Sequence, residues 1–214
     1  MFPFDVILFD VGGVLLTNGW DHRERAAATE RFHLDASFEA RHLAHFDAWE
    51  RDAISMDAYL DAVIFNQPRA FSRDEFVDFV FAQSRLLRGG AMGILKHLAA
   101  SDKYVLGALN NEARETNDYR FSKFGLRDHL TVALSSCYLG LRKPEPAIYR
   151  RAIDILGGPA ERFLFIDDRQ ENVAGAAAVG MRAIRFEDAD TLCRQLVNLE
   201  VIEEPAMEGI CNLD

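Results

Sequence analysis

Residues 163–181 read FLFIDDRQENVAGAAAVGM, and this stretch decides the fold. It opens with a short run of large apolar residues, as expected of a strand buried on both faces, and the run stops at two acids, Asp167 and Asp168. A helical pattern follows over residues 172–179, and Gly180 stands where a helix C-cap belongs. Residues 182–186 then form a second apolar run. Strand, helix and strand in so short a span predict two parallel strands joined by a crossover helix.

The same texture recurs outward from this unit. Apolar runs ending in small, amide or acidic residues lie at 6–10, 104–110 and 130–135, and helical patterns at 90–100 and 145–156, the latter ending at Gly157. A mostly parallel sheet with helices on both faces is therefore expected. Residues 20–87 break the alternation. They read as helical throughout, in segments 21–32, 37–49, 55–65 and 72–84, with Ser72 and Glu75 at capping-box spacing. The division expected is a core of residues 1–19 and 88–214 and an all-helical cap of residues 20–87 inserted after the first strand. Residues 200–214 have weak periodicity and read as a loose tail or packing arm.

Bulk properties narrow the function. The chain has 214 residues, 49% of them hydrophobic and 27% charged, as in an ordinary globular protein. Its formal charge of −10 argues against electrostatic binding to nucleic acid or anionic membranes. No apolar window reaches the roughly 18 residues of a membrane helix. The apolar start carries Asp5 and Asp10 and reads as a first strand, not a signal peptide. Cys137, Cys193 and Cys211 have no metal-type spacing and read as reduced thiols, which points to the cytoplasm.

In an open parallel sheet, ligands bind beyond the carboxyl ends of the strands. Here those ends carry Asp10 followed by Val11-Gly12-Gly13, then Asn110-Asn111-Glu112, then Asp167-Asp168, and Lys143 precedes Pro144, which suits the first turn of the next helix. One acid at a strand end is commonly a helix cap; several stations at successive strand ends point to chemistry. The stretches FDVGGVL, LGALNNE, LRKPEPAIYRRA and FIDDRQENVAGAAAVGM together resemble the four motifs of the haloacid dehalogenase-like hydrolases, helical-capped subclass, over nearly the whole chain. Trp49-Glu50-Arg51-Asp52-Ala53-Ile54-Ser55 is similar, more weakly, to a cap segment of the sugar-phosphate phosphatases in that family.

The resemblance implies a Rossmann-like fold and a set of roles. Asp10 is the nucleophile, forming an aspartyl-phosphate that water hydrolyses. Magnesium is held by Asp10, the Gly12 carbonyl and Asp168, with Asp167 direct or through water, and it offsets repulsion between nucleophile and phosphate. Lys143 adds positive charge. Asn110 stands where Ser or Thr is usual and can donate to a phosphoryl oxygen. Asn111 and the N–H groups around Val11, Gly12 and Gly13 complete a phosphate cradle, which a glycine pair allows a ligand to approach closely. The substrate implied is a small phosphorylated metabolite of unspecified identity.

One departure qualifies this. The family's phosphatases carry a second aspartate two residues after the nucleophile, to protonate the leaving group and activate water; here that residue is Gly12. General acid–base help is commonly worth about 10²–10⁴-fold. Glu112, Asp21 or His22 can substitute, the substrate can be an acyl, anomeric or aryl phosphate that leaves easily, or only phosphate binding is kept. Asn172, where an acid often sits, weakens the carboxylate set further. Restoring an aspartate at position 12 is expected to raise activity toward alkyl phosphates. A dehalogenase also lacks the second aspartate, and Tyr149 and Asn111 have counterparts there, but the Asp167–Asp168 pair makes better sense beside a divalent cation.

Other features read as packing. His42 and His45 near Asp47 form a cap face before a metal site, Trp20 and Trp49 read as core or interface, and Phe76, Phe79 and Phe81 as cap packing. The acids of residues 200–204 read as solvated surface. No heptad or apolar stripe points to an oligomeric state.

Overall fold

The computed structural model describes residues 3–203. Five strands, β1 (Val6–Phe9), β2 (Val105–Ala108), β3 (Val132–Ala133), β4 (Phe163–Asp167) and β5 (Arg182–Arg185), form one parallel sheet in the order β3-β2-β1-β4-β5. Their side chains alternate between two apolar layers. Ile7, Phe9, Leu164 and Ile166 pack with Leu95, Leu98, Leu192 and Leu196 on one face. Val6, Leu8, Phe163 and Phe165 pack with Ile148, Tyr149, Ala152 and Ala176 on the other. Burial on both faces is why the strands read as unbroken apolar runs.

The chain leaves β1, builds one half of the sheet, and returns to the other half at β4, so the switch point lies beside β1. Register then aligns the acids. Phe9 pairs with Ile166, and the Asp10 amide donates to the Ile166 carbonyl at 2.8 Å, which sets Asp10 level with Asp167.

Between β1 and β2 the described chain is helical: α1 (His22–Phe32), α2 (Phe38–Glu50), α3 (Met56–Val63), α4 (Arg73–Ala82) and, against the sheet, α5 (Met92–Ser101). The first four share an apolar cluster of their own, built on Phe32, Phe38, Trp49, Tyr59, Val63 and Phe76. Their starts follow the capping residues. Ser55 and Ser72 accept N–H groups of the first turn, and Asp21 with Glu24 closes a full capping box; Ser37 makes no such bond.

The remaining helices are α6 (Arg114–Lys123), α7 (Ser136–Leu139), α8 (Pro146–Leu156), α9 (Gln170–Ala178) and α10 (Ala189–Asn198). Pro146, not Pro144, occupies the first turn of α8, so Lys143 sits in the loop ahead of it. Helices α6, α7 and α10 escaped the sequence reading. The buried face of α6 is Thr116, Asn117, Arg120 and Phe121, which shows no apolar period. For α10 the N-cap Asp188 was an available signal.

Of the C-terminal segment, Val201 and Ile202 are buried in the core, as a packing arm; residues 204–214, with Glu204 and Cys211, lie outside the described residues. Cys137 and Cys193 are buried. Among the described residues no helix is long and apolar enough to cross a membrane.

Candidate active site

A cavity of about 350 Å³ lies between the carboxyl edge of the sheet and helices α1 and α2. Asp10, Gly12, Asn111, Glu112, Arg120, Lys143, Arg169 and Asn172 line it from the core; Trp20, Asp21, Arg25, His42, Phe46, Trp49 and Glu50 line it from the helical insertion.

At its base, Lys143 is buried between two carboxylates, with Nζ 2.9 Å from Asp10 Oδ1 and 2.5 Å from Asp167 Oδ2. Burial works against the ammonium, but Asp10 and Asp167 outweigh it and hold the lysine charged. Asp167 is fully buried and saturated: it also accepts the Arg169 N–H at 2.8 Å and the Asn172 amide at 3.0 Å. Burial pushes its carboxyl up, and Lys143 with these donors brings it below the usual range. Burial raises Asp10, against the pull of Lys143, and burial with the neighbouring Asp167 raises Asp168.

The oxygens of Asp10, Asp167 and Asp168 lie within 4.8 Å of one another, and among the described residues no other group of acids, histidines and cysteines is so placed to hold a metal ion. Asp168 Oδ1 is buried without a hydrogen-bond partner. A Cβ at Gly13, whose φ is 74°, would come within 2.4 Å of Asp168 Oδ2, so only glycine leaves that carboxylate its place. Three crowded carboxylates, one of them with a buried oxygen lacking a partner and only one ammonium to balance them, are a donor set that a hard divalent cation fits.

Not every expected residue stands where the sequence suggested. Asn110 is buried and does not line the cavity: its Nδ2 donates to Asn117 at 2.9 Å and its Oδ1 accepts from Ser135 at 2.7 Å. Val11 is buried, its N–H donating to Asp10 Oδ1 at 2.8 Å, and the Gly13 N–H donates to the Leu16 carbonyl at 2.8 Å. These groups serve the loop itself, so the expected cradle is largely occupied. Asn111 has a clear place instead. Its amide donates to the Lys143 carbonyl and accepts the Lys143 N–H, both at 2.9 Å, clamping the lysine backbone.

The candidate replacements for the missing acid also separate. His22 is 75% exposed and off the cavity. Asp21 caps α1 and pairs with Arg169 at 2.6 Å; despite the upward push of burial, the His22 N–H and Arg169 hold its carboxyl below the usual range. Glu112 is ion-paired with the buried Arg120 and accepts the Thr116 hydroxyl at 2.8 Å.

The position of residue 12 is crowded as well. A Cβ there would lie 2.9 Å from Asn18 Oδ1 and 3.8 Å from Arg120 Nη1. Sequence reasoning missed Glu50, at the C-terminus of α2. Its Oε2 accepts from Arg142 Nε at 2.6 Å, and burial, against Arg142 but aided by Glu112, pushes the carboxyl up to about 7. The 47–52 segment seams insertion to core: Asp47 to Arg142 at 2.8 Å, Arg51 to Glu145, Asp52 to Arg114 at 2.6 Å, and the Ser136 hydroxyl to the Glu50 carbonyl at 2.8 Å.

The residues read as packing mostly do pack. His42 Nδ1 meets the Tyr59 hydroxyl at 2.7 Å and His45 Nδ1 meets the Arg41 carbonyl at 2.8 Å, with neither in a metal-holding group among the described residues. Trp49 stacks on Tyr59 at 4.1 Å, and Trp20 Nε1 donates to the Tyr59 hydroxyl at 3.0 Å, although both tryptophans also line the cavity. Phe76 and Phe79 pack on Phe32, whereas Phe81 stacks on Tyr119 of α6 at 4.3 Å.

Comparison with known proteins agrees with this fold. A family model for haloacid dehalogenase-like hydrolases matches residues 4–180. The chain is 35% identical over 112 residues to flavin mononucleotide hydrolase 1 of Arabidopsis thaliana, covering 52% of this chain and 45% of that protein. It is 24% identical over 190 residues to phosphoglycolate phosphatase of Mesorhizobium japonicum, covering 85% and 82%. Against the bifunctional epoxide hydrolase 2 of Sus scrofa the match covers 15% of that protein, so the chain spans less than half of several relatives it matches. Among solved structures, a magnesium complex of the family enzyme bt-2542 from Bacteroides thetaiotaomicron superposes with a TM-score of 0.74 at 20% identity, over 87% of this chain and 94% of that one. A dehalogenase intermediate complex superposes at 0.61, also at 20% identity, over 87% and 86%.

Proposed function

The chain belongs to the haloacid dehalogenase-like hydrolases, and on that premise we propose that it is a magnesium-dependent phosphatase of a small phosphorylated metabolite, working through Asp10. The observation that carries the reading lies beneath the cavity at Asp10: the oxygens of Asp10, Asp167 and Asp168 gather within 4.8 Å of one another, with Lys143 between the first two and a buried Asp168 oxygen lacking a partner. A dehalogenase has no use for that excess negative charge. A phosphatase does, because it must hold a cation against an anionic substrate.

Asp10, the Gly12 carbonyl and Asp168, with Asp167 direct or through water, would hold magnesium, which when bound would supply the positive charge that lets one anion approach another. The chain's own groups do the rest. An Asp10 oxygen attacks phosphorus in line. Lys143, fixed by Asp167 and by the Asn111 clamp on its backbone, keeps positive charge on the Asp10 side chain and the phosphoryl oxygens. Asn172 and the Arg169 N–H hold Asp167, and so orient Lys143 at one remove. Residues 20–87 act as a cap whose α1 and α2 close the cavity from water, and whose lining selects the leaving group.

The test is phosphate release from a panel including acetyl phosphate, glucose 1-phosphate, flavin mononucleotide, phosphoglycolate and p-nitrophenyl phosphate, with magnesium or with EDTA. Magnesium-dependent release that Asp10→Asn abolishes without unfolding the protein supports the reading. Undiminished release by that variant refutes the mechanism, and silence on the panel with halide release from 2-haloacids turns the reading to dehalogenation.

A further inference from the structure

We propose that Glu50, from the helical insertion, is the acid–base group of this phosphatase, in place of the aspartate absent at position 12. The proposal rests on the phosphatase reading above.

The geometry first removes the alternatives. The space a side chain at residue 12 would take is bounded by Asn18 and by the Arg120 guanidinium. Glu112 is committed to that buried guanidinium and to Thr116, Asp21 to a helix cap and Arg169, and His22 faces away from the cavity. Both oxygens of each of these carboxylates already accept hydrogen bonds, from Arg120 and Thr116 in Glu112 and from His22 and Arg169 in Asp21.

Glu50 also pairs with an arginine, but it differs in its place and in keeping one oxygen clear. It lines the cavity that Asp10 and Lys143 also line. Its side chain is 22% exposed, so a bound substrate can reach it. One oxygen, Oε2, takes the Arg142 hydrogen bond; among the described residues Oε1 has no such bond and can carry a proton. Its backbone is pinned to the core by Ser136 and its neighbours Asp47, Arg51 and Asp52 by ion pairs, so the carboxyl is positioned and not swinging. The charged groups around it are Asp47 on its own helix, Arg142 ahead of α8, Glu112 with Arg120 at α6, and Arg169 ahead of α9. Burial among these groups leaves the carboxyl near pH 7, where one group can serve as acid and then as base.

The two half-reactions balance. An Asp10 oxygen bonds to phosphorus as the bond from phosphorus to the leaving oxygen breaks; that oxygen keeps the electron pair and takes the Glu50 proton. Glu50, now a carboxylate, accepts a proton from the water that attacks the aspartyl-phosphate. The bond from phosphorus to Asp10 breaks, releasing phosphate and restoring the Asp10 carboxylate and the Glu50 acid.

The experiment compares an alkyl monoester, glucose 6-phosphate, whose leaving oxygen needs a proton, with p-nitrophenyl phosphate, whose phenolate leaves without one. Glu50→Gln is expected to lower kcat on the alkyl ester at least about 100-fold more than on the aryl ester. The alkyl rate of the unaltered protein is expected to fall above about pH 7, and this fall to disappear in the variant. Equal losses on both esters, or an unchanged pH limb, overturn the assignment. Arg142→Gln is the second variant, read if Glu50→Gln does not fold: removing the cation beside Glu50 moves the limb to higher pH, and a limb that stays overturns the role. Release from neither ester by the unaltered protein removes the phosphatase reading itself, and Glu50 with it.

Discussion

Asp168→Asn should make the metal-free protein more stable and the magnesium-loaded protein less responsive, an inversion that follows from the charges at the base of the cavity. The oxygens of Asp10, Asp167 and Asp168 lie within 4.8 Å of one another, and Lys143 is the ammonium between the first two. At that separation two unit charges repel by about 3.5 kcal/mol at an effective dielectric of about 20. Asp168 is only part-buried, which screens the interaction, so removing its charge in EDTA should stabilise the fold by about 1–3 kcal/mol. For a chain of this size that is a rise in Tm of about 2–12 °C.

The sign with pH follows from the raised Asp168 carboxyl. The folded state holds that proton more tightly than the unfolded state, so folded stability falls as pH rises from about 4 through the raised value. The gain from Asp168→Asn should therefore be present at pH 7.5 and vanish near pH 4. Magnesium reverses the order. At about 100 times its dissociation constant it adds about 2.7 kcal/mol to the unaltered protein, or about 5–10 °C, and less to the variant. Scanning calorimetry in EDTA and in excess magnesium measures both. A variant that melts lower in EDTA and keeps the full magnesium shift would refute the reasoning.

Two further outcomes can be measured. Gly12→Asp looks from the sequence like a repair, but its Cβ meets Asn18 Oδ1 at 2.9 Å and lies 3.8 Å from Arg120, which would pair the new carboxylate; its gain on alkyl phosphates should stay under about 10-fold, short of the usual range for acid–base help, and a larger gain would show that Arg120 does not hold it. Burial pushes His42 down to about 4, so between about 6.5 and 4 the unfolded chain binds a proton that the folded protein excludes, and stability should fall with falling pH there by up to about 3 kcal/mol; urea unfolding of the protein and His42→Gln at pH 7 and pH 4.5 isolates this part, which a constant difference would disprove.

What the sequence made legible was local or periodic. Strands buried on both faces announce themselves as apolar runs, and Asp10 and Asp167 stop those runs abruptly because each stands at the carboxyl end of its strand. Helix starts at Asp21, Ser55 and Ser72 were readable because a cap is a contact between residues three apart or nearer. What stayed hidden depends on partners distant in sequence. Helix α6 packs Asn117 and Arg120 inward, against Asn110 and Glu112, so its buried side imitates a solvated one. Asn110 and Asn111 are adjacent and chemically identical, yet past the end of β2 one turns into the Ser135–Asn117 network and the other to the cavity and Lys143. Glu50 was quoted only as part of a cap motif, because its environment comes from Arg142, 92 residues on.

The seam between insertion and core shows why that environment suits a working site. It is made chiefly of ion pairs, Asp52 with Arg114, Arg51 with Glu145, Asp47 with Arg142 and Asp21 with Arg169, each with at least one part-exposed partner. Pairs of this kind contribute about 0–1 kcal/mol apiece, far less than the aromatic core inside the insertion, where burying a single large side chain is worth about 1.5–3 kcal/mol. The seam therefore registers α2 on the core without fusing the two. A substrate can enter by parting contacts that cost little, and the same contacts return Glu50 and Arg142 to one place in the cavity that Asp10 also lines when they re-form. An apolar seam of equal area would hold the cavity shut; charges facing water hold it in register and let it open.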